Sequence, residues 1–270
     1  MPDLVIPDAF VRGTAAGRIA VAKSLSSRDS TAHSSSMSNP IIVALDVPNA
    51  ERALALAEEV APAVGAFKIG SELFTGAGPD IVRRLRATGA AVFLDLKFHD
   101  IPNTVAKAIA AATRLDAQML TVHCGGGPEM LRAAEFAAQE TARHLGRPPP
   151  LVLGVTVLTS MGADELGAVG LPPNPGKQVE RLAALAVLAG LRGLVCSPLE
   201  LPALRQLAPH SMQLVTPGIR GPEDAAGDQK RTLSAAEAVA MGANWLVIGR
   251  PIYAAANPRA AAEKILASLR

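Results

Sequence analysis

In one short segment, Asp95-Leu96-Lys97-Phe98-His99-Asp100, two carboxylates flank a lysine. A second lysine, Lys68, lies upstream in Phe67-Lys68-Ile69-Gly70. A lone Asp–Lys pair reads as a structural ion pair under a helix cap. Two lysines and two aspartates at one place read differently. A charge buried without a partner is very costly, so such a group implies mutual pairing or a charged ligand. Charges held in fixed positions can stabilise an anion that develops during a reaction, and an ammonium can also deliver a proton.

The elements that must position these groups follow from periodicity. From Ile41 onward, short aliphatic runs alternate with Ala/Leu-rich segments of helical period. The pattern predicts strands over Ile41–Asp46, Ala66–Gly70, Ala91–Lys97, Met119–His123, Leu151–Thr156, Gly193–Cys196, Gln213–Thr216 and Trp245–Ile248. It predicts helices over Ala50–Val60, Pro79–Thr88, Pro102–Leu115, Pro128–His144, Lys177–Ala189, Pro198–Leu207, Ser234–Met241 and Pro258–Leu269. Several of these begin at Pro, which suits a first helical turn. This alternation is that of an α/β protein with a (β/α)8 (TIM) barrel. A doubly wound open sheet is the alternative. It more often carries a Gly-rich loop after its first strand, and here that strand ends Ala44-Leu45-Asp46-Val47-Pro48.

In such a barrel, chemistry sits where strands end. The polar strand-end residues are Asp46, Lys68, Asp95, Lys97 and His123, then Thr156, Thr159, Ser160, Ser197, Thr216, Arg220 and Arg250. Side chains alternate along a strand, so Phe93, Asp95 and Lys97 are expected to face the lumen and Leu94 and Leu96 the helices. The loops after strands 7 and 8 are the usual phosphate site of this architecture. Gly249 admits a close backbone approach there, and Arg250 can grip two oxygens. Thr216-Pro217-Gly218-Ile219-Arg220-Gly221-Pro222 reads as a hinged lid.

Composition narrows the classes further. The chain has 270 residues, 49% hydrophobic and 19% charged, ample for a buried core and unlike a disordered chain. Aromatics are 3% and the formal net charge is +2, so neither base-stacking platforms nor a polyanion footprint is expected, and hence no nucleic acid. No apolar run is long enough for a membrane span. Cys124 and Cys196 form no disulfide framework, and a reducing cytoplasmic setting is expected. His33, His144 and His210 have no clustered partners, so no metal is expected. His123 and His99 read as structural or loop residues, Gly125-Gly126-Gly127 as a turn, and Cys196 as a buried hydrophobe. Residues 1–38 read as a disordered N-terminal tail ahead of a single domain at 39–270. Ser24 to Ser38 is polar and aperiodic, and the tail lacks the form of a secretory signal. Its arginines resemble a weak transit peptide, against which Asp3, Asp8 and Asp29 count. Met37 leaves an over-extended start as an alternative.

Asp95-x-Lys97-x-x-Asp100 followed by Ile101-Pro102-Asn103-Thr104 resembles the active-site signature of the orotidine 5′-phosphate decarboxylase family. Ala44-Leu45-Asp46, Phe67-Lys68-Ile69-Gly70, Val155 to Ser160, Thr216 to Arg220, Asp228-Gln229 and Ile248-Gly249-Arg250 match in order and spacing, from about Pro40 to the C-terminus. The resemblance implies decarboxylation of orotidine 5′-monophosphate to uridine 5′-monophosphate, the last step of pyrimidine nucleotide synthesis, with no metal or organic cofactor. It implies that Lys97 protonates C6, that Asp95 faces the substrate carboxylate, and that Lys68 completes the charge array and reaches the ribose. Asp46 would bind ribose hydroxyls, and Thr159 and Ser160 would lie near the pyrimidine. Arg220, Gln229, Gly249 and Arg250 would hold the phosphate. Asp100 would enter the array of the opposite subunit, and Thr104 would reach its ligand, so a homodimer would complete each site.

Two other readings compete. A metal-dependent sugar-phosphate decarboxylase or aldolase of the same superfamily would need an acidic metal ligand where strand 2 ends, and this chain has Lys68 there. A non-catalytic phosphate-binding barrel would have no use for four alternating charges.

Overall fold

The computed structural model describes residues 39–220 and 233–269. Eight parallel strands close into a barrel in sequence order. They are β1 (Ile41–Ala44), β2 (Ala66–Gly70), β3 (Ala91–Phe98), β4 (Met119–His123), β5 (Leu151–Val155), β6 (Gly193–Val195), β7 (Gln213–Thr216) and β8 (Trp245–Ile248). The helices among the described residues are α1 (Ala50–Val60), α2 (Ser71–Ala77), α3 (Asp80–Arg86), α4 (Pro102–Arg114), α5 (Gly127–His144) and α6 (Ala163–Ala168). They continue as α7 (Pro175–Leu188), α8 (Leu201–Leu207), α9 (Ala235–Ala240), α10 (Arg250–Tyr253) and α11 (Pro258–Ala267). This is the (β/α)8 barrel that the alternation predicts.

The two faces of each strand go to different cores. Ile41 and Val43 of β1 pack outward with Phe67, Ile69, Leu94, Leu120 and Leu246 beneath the helices. Ile42 and Ala44 point inward, where Ala66, Phe93, Met119, Leu153, Val215, Trp245 and Val247 fill the lumen. Opposite alternating faces are what a period of two requires, and the filled lumen makes the barrel a packed core rather than a pore.

Local chemistry fixes the helix starts. The Asn49, Asn174 and Asn257 side chains accept the amide protons of Arg52, Lys177 and Ala260, satisfying donors that a first helical turn leaves open. Helix α1 buries Ala53, Leu56, Ala57 and Val60, one face at helical spacing. Gly154 lies where an added Cβ would meet Cys124 Sγ at 2.6 Å. The absence of a side chain there lets the turn at Cys124–Gly126 seat its buried thiol.

Several predicted boundaries change. Strand β1 ends at Ala44, earlier than predicted, because after the Leu45 amide donates to Lys68 O at 3.0 Å the chain turns toward the cap at Asn49. The helix predicted over Pro198–Leu207 divides into a 3-10 turn, Pro198–Glu200, and α8. Helix α3 is shorter than predicted at both ends. Helices α2, α6 and α10 were not anticipated. Among the described residues, no helix is long and apolar enough to cross a membrane.

Candidate active site

The strand-end charges meet at the mouth of the barrel. Ala66 of β2 points into the lumen, so Lys68, two residues on, points the same way. Its Nζ lies 3.2 Å from Asp46 Oδ1 and 3.8 Å from Asp95 Oδ2. Lys97 Nζ donates to both oxygens of Asp95, at 2.9 Å each. The order is therefore Asp46, Lys68, Asp95, Lys97, alternating in sign. Exposure rises from the middle outward. The side chains of Lys68 and Asp95 are 12% exposed, that of Lys97 is 36% and that of Asp46 is 52%.

Lys97 reaches this row by an irregularity rather than by simple alternation. Leu94 of β3 pairs with Leu120 of β4, but the next pairing is Phe98 with Val122, so β3 bulges between them. Lys97 has φ of 50°, in the left-handed region that a side chain disfavours. The bulge lifts its amide out of the ladder, and that amide donates instead to Thr121 Oγ1 at 2.8 Å. Thr121 in turn donates to Asp95 Oδ1 at 3.0 Å. Sequence reasoning passed over Thr121, although a hydroxyl at the inward position between Met119 and His123 is itself a signal.

A cavity of about 560 Å³ opens above the row. Asp46, Lys68, Asp95, Lys97, Thr159, Arg220, Gly249 and Arg250 line it, each a residue singled out by its sequence. Tyr253, Cys196, Val155 and Val157 also line it and were not anticipated as wall residues. A Cβ at Gly249 would sit 3.3 Å from the Tyr253 ring, a tight approach that the ring would have to yield to. Among the described residues, the buried Nε of Arg220 has no hydrogen-bond partner, while its Nη1 donates to Ile219 O at 2.9 Å. An unsatisfied guanidinium N–H in the wall of a cavity is a donor that an anionic ligand could use.

Other predicted residues are not brought to this cavity. Ser160 and Thr104 are exposed and off its wall. Asp100 is exposed and accepts the Ile101 amide at 2.6 Å. With His99, Ile101, Pro102, Gly125 and Gly126 it lines a separate open pocket. Within one chain, then, the four-charge row is completed by Asp46 and not by Asp100, because the loop after Lys97 runs over the rim. Thr216 is buried at the end of β7, and Ser197 is buried just past β6, at the start of the 3-10 turn. Gln229 and Asp228 lie outside the described residues.

His123 stands beside the row. Burial, followed by the positive charges of His99 and Lys97, pushes its imidazole below the ordinary range, and Asp95 pulls the other way. Its ring lies 5.5 Å from that of His99. Among the described residues, no three His, Cys, Asp or Glu side chains are grouped to hold a metal ion. The two carboxylates of the row are instead bridged by an ammonium.

Residues 39–265 match the family described as orotidine 5′-phosphate decarboxylase / HUMPS. The chain belongs to this family. The orotidine 5′-phosphate decarboxylase of Opitutus terrae is 52% identical over 234 residues, covering 87% of this chain and 100% of that protein. The enzyme of the same name from Pseudomonas aeruginosa is 50% identical over 235 residues, covering 87% and 99%. Among solved structures, orotidine 5′-phosphate decarboxylase from Lactobacillus acidophilus superposes with a TM-score of 0.76 at 36% identity, covering 86% of this chain and 99% of that one. Orotidine 5′-monophosphate decarboxylase from Methanocaldococcus jannaschii, complexed with the inhibitor BMP, gives 0.67 at 25% identity, covering 86% and 99%. The family matched is the one that the Asp95-x-Lys97-x-x-Asp100 segment resembles.

Proposed function

We propose that this chain decarboxylates orotidine 5′-monophosphate to uridine 5′-monophosphate, completing pyrimidine nucleotide synthesis. The observation that carries the proposal is the alternating Asp46–Lys68–Asp95–Lys97 row lining a cavity that also holds Arg220 and Arg250. Loss of carbon dioxide from C6 leaves an electron pair that the pyrimidine ring delocalises poorly. Preoriented positive charge beside that carbon lowers the barrier. Lys97 supplies it and then transfers a proton to C6, so the C6–carboxylate bond is replaced by C6–H. Asp95 faces the departing carboxylate, a like-charge contact relieved as carbon dioxide leaves. Lys68 separates Asp95 from Asp46, and Lys68 and Asp46 hold the ribose. Arg220, Gln229, Gly249 and Arg250 hold the phosphate, whose binding energy, remote from C6, organises the charges. Thr159, which lines the cavity, flanks the pyrimidine.

Asp100 and Thr104 serve the site of a second subunit in a homodimer. Their exposure, and their absence from the wall of this chain's own cavity, support that reading. The catalytic domain is residues 39–270, residues 1–38 are an extension of it, and the enzyme works in the cytoplasm without a cofactor. A metal-dependent sugar-phosphate enzyme is disfavoured by Lys68, whose ammonium lies between the two carboxylates that a cation would need. The test is release of carbon dioxide from orotidine 5′-monophosphate without added metal and again with EDTA. Equal turnover in both is expected. Activity abolished by EDTA would support the metal reading, and no release in either would refute the proposal.

A further inference from the structure

We propose that Thr121 is a positioning residue that sets the geometry of Asp95 and Lys97 together. The inference rests on the decarboxylase reading of the site. Thr121 is fully buried on the lumen side of β4. A hydroxyl has one proton to give and two lone pairs. The Lys97 amide can only donate, so at 2.8 Å Thr121 Oγ1 must accept from it. The hydroxyl proton is then left for Asp95 Oδ1 at 3.0 Å. The direction of both bonds is therefore fixed, and one atom ties the carboxylate to the backbone of the lysine that pairs with it.

The tie matters because Lys97 is held where β3 bulges, in the left-handed region, with its amide outside the strand ladder. The β4 side chain that faces this amide substitutes for the missing ladder partner. Its β-branched χ1 is stiff, so the anchor is rigid. A part-buried amide and a carboxylate oxygen would both lose a partner if the hydroxyl were removed, and the bulge would be free to shift. Thr121 lies beneath the row and is not part of the cavity wall. Its removal is therefore expected to slow the chemical step while leaving ligand binding nearly intact.

The test compares Thr121→Val, which keeps the shape and loses both hydrogen bonds, with Thr121→Ser, which keeps them. Steady-state kcat and KM for orotidine 5′-monophosphate are measured together with hydrogen exchange of the Lys97 amide. By analogy with groups that orient catalytic ligands, Thr121→Val should lose on the order of 10–100-fold in kcat. Its KM should stay within about 3-fold, and its Lys97 amide should exchange faster. Thr121→Ser should recover kcat to within about 3-fold and restore the protection. If valine prevents folding, Thr121→Ala carries the same comparison. A Val or Ala variant with unchanged kcat overturns the proposal, as does a Ser variant as slow as Val, or a loss confined to KM. Wild-type protein that fails to release carbon dioxide refutes the decarboxylase reading instead. The exchange rate of the Lys97 amide still decides whether Thr121 anchors the bulge.

Discussion

Replacing Lys97 with alanine should separate the chemistry from the fold. Its ammonium pairs with Asp95 at 2.9 Å, but its side chain is 36% exposed. That exposure puts the pair near the surface range of about 1 kcal/mol rather than the 3–5 kcal/mol of a fully buried pair broken on one side. Asp95 is not orphaned by the change, since Lys68 Nζ remains at 3.8 Å and Thr121 at 3.0 Å. Alanine also retains a Cβ, so the cost of φ at 50° is carried equally by both proteins; glycine would relieve it and confuse the result. At about 2–4 °C per kcal/mol for a domain of this size, Tm should fall by roughly 2–4 °C. Activity should respond on another scale. Proton transfer accounts for about 10²–10⁴-fold and one preorganised charge-stabilising group for about 10²–10³-fold. Together they imply a loss in kcat/KM of at least ~10⁴, about 5.4 kcal/mol at 1.36 kcal/mol per decade. Carbon dioxide release and scanning calorimetry on the same preparation measure the two quantities. A loss below about 100-fold would refute Lys97 as proton donor, and a Tm drop beyond about 10 °C would refute the argument from exposure.

Arg250→Ala should raise KM by roughly 10–150-fold, the worth of a charged hydrogen bond, with kcat changed less; an unaltered KM would remove Arg250 from the phosphate site. Lys97→Ala and Asp100→Ala chains, each inactive alone, should regain activity when their subunits are mixed and exchanged, because each heterodimer contains one intact site. Random pairing restores about one quarter of wild-type sites, and no recovery after verified exchange would count against sharing of Asp100. Burial pushes the Cys124 thiol up to about 12 from an ordinary value of 9.0. Between these values the unfolded chain releases a proton that the folded chain keeps, so stability is complete below about pH 9 and falls as pH rises, by about 1.4 kcal/mol per pH unit from this group. Cys124→Ala should flatten the alkaline denaturation profile by that slope, and parallel profiles would contradict the assignment.

The barrel was legible because it is written in period-two and helical patterns that packing enforces. Ala66–Gly70, Met119–His123, Gln213–Thr216 and Trp245–Ile248 are strands at the predicted bounds. Helices α2, α6 and α10 left no such trace. They are short, α2 and α6 contain Gly76 and Gly167, and each of the three buries a single residue, Leu73, Leu166 or Ile252. The site was legible to the extent that its charged residues end inward-facing strands. The expected face of Lys97 is the observed one, but a bulge delivers it there, and the pairing of its amide with Thr121, 24 residues on, is not written in the local pattern of either strand. Alternation likewise gave no warning that the chain turns over the rim before Asp100, leaving Asp46 to end the row within one chain.

The packed lumen has a kinetic consequence. With Phe93, Met119, Leu153 and Trp245 filling the barrel below the charges, the cavity is closed at its base among the described residues. On the proposed reaction, a gas molecule freed above that base would leave upward, past the nucleotide it came from. In the proposed mechanism it could re-add to the bare carbon, so the forward yield of each turnover would depend on the proton reaching C6 before recapture.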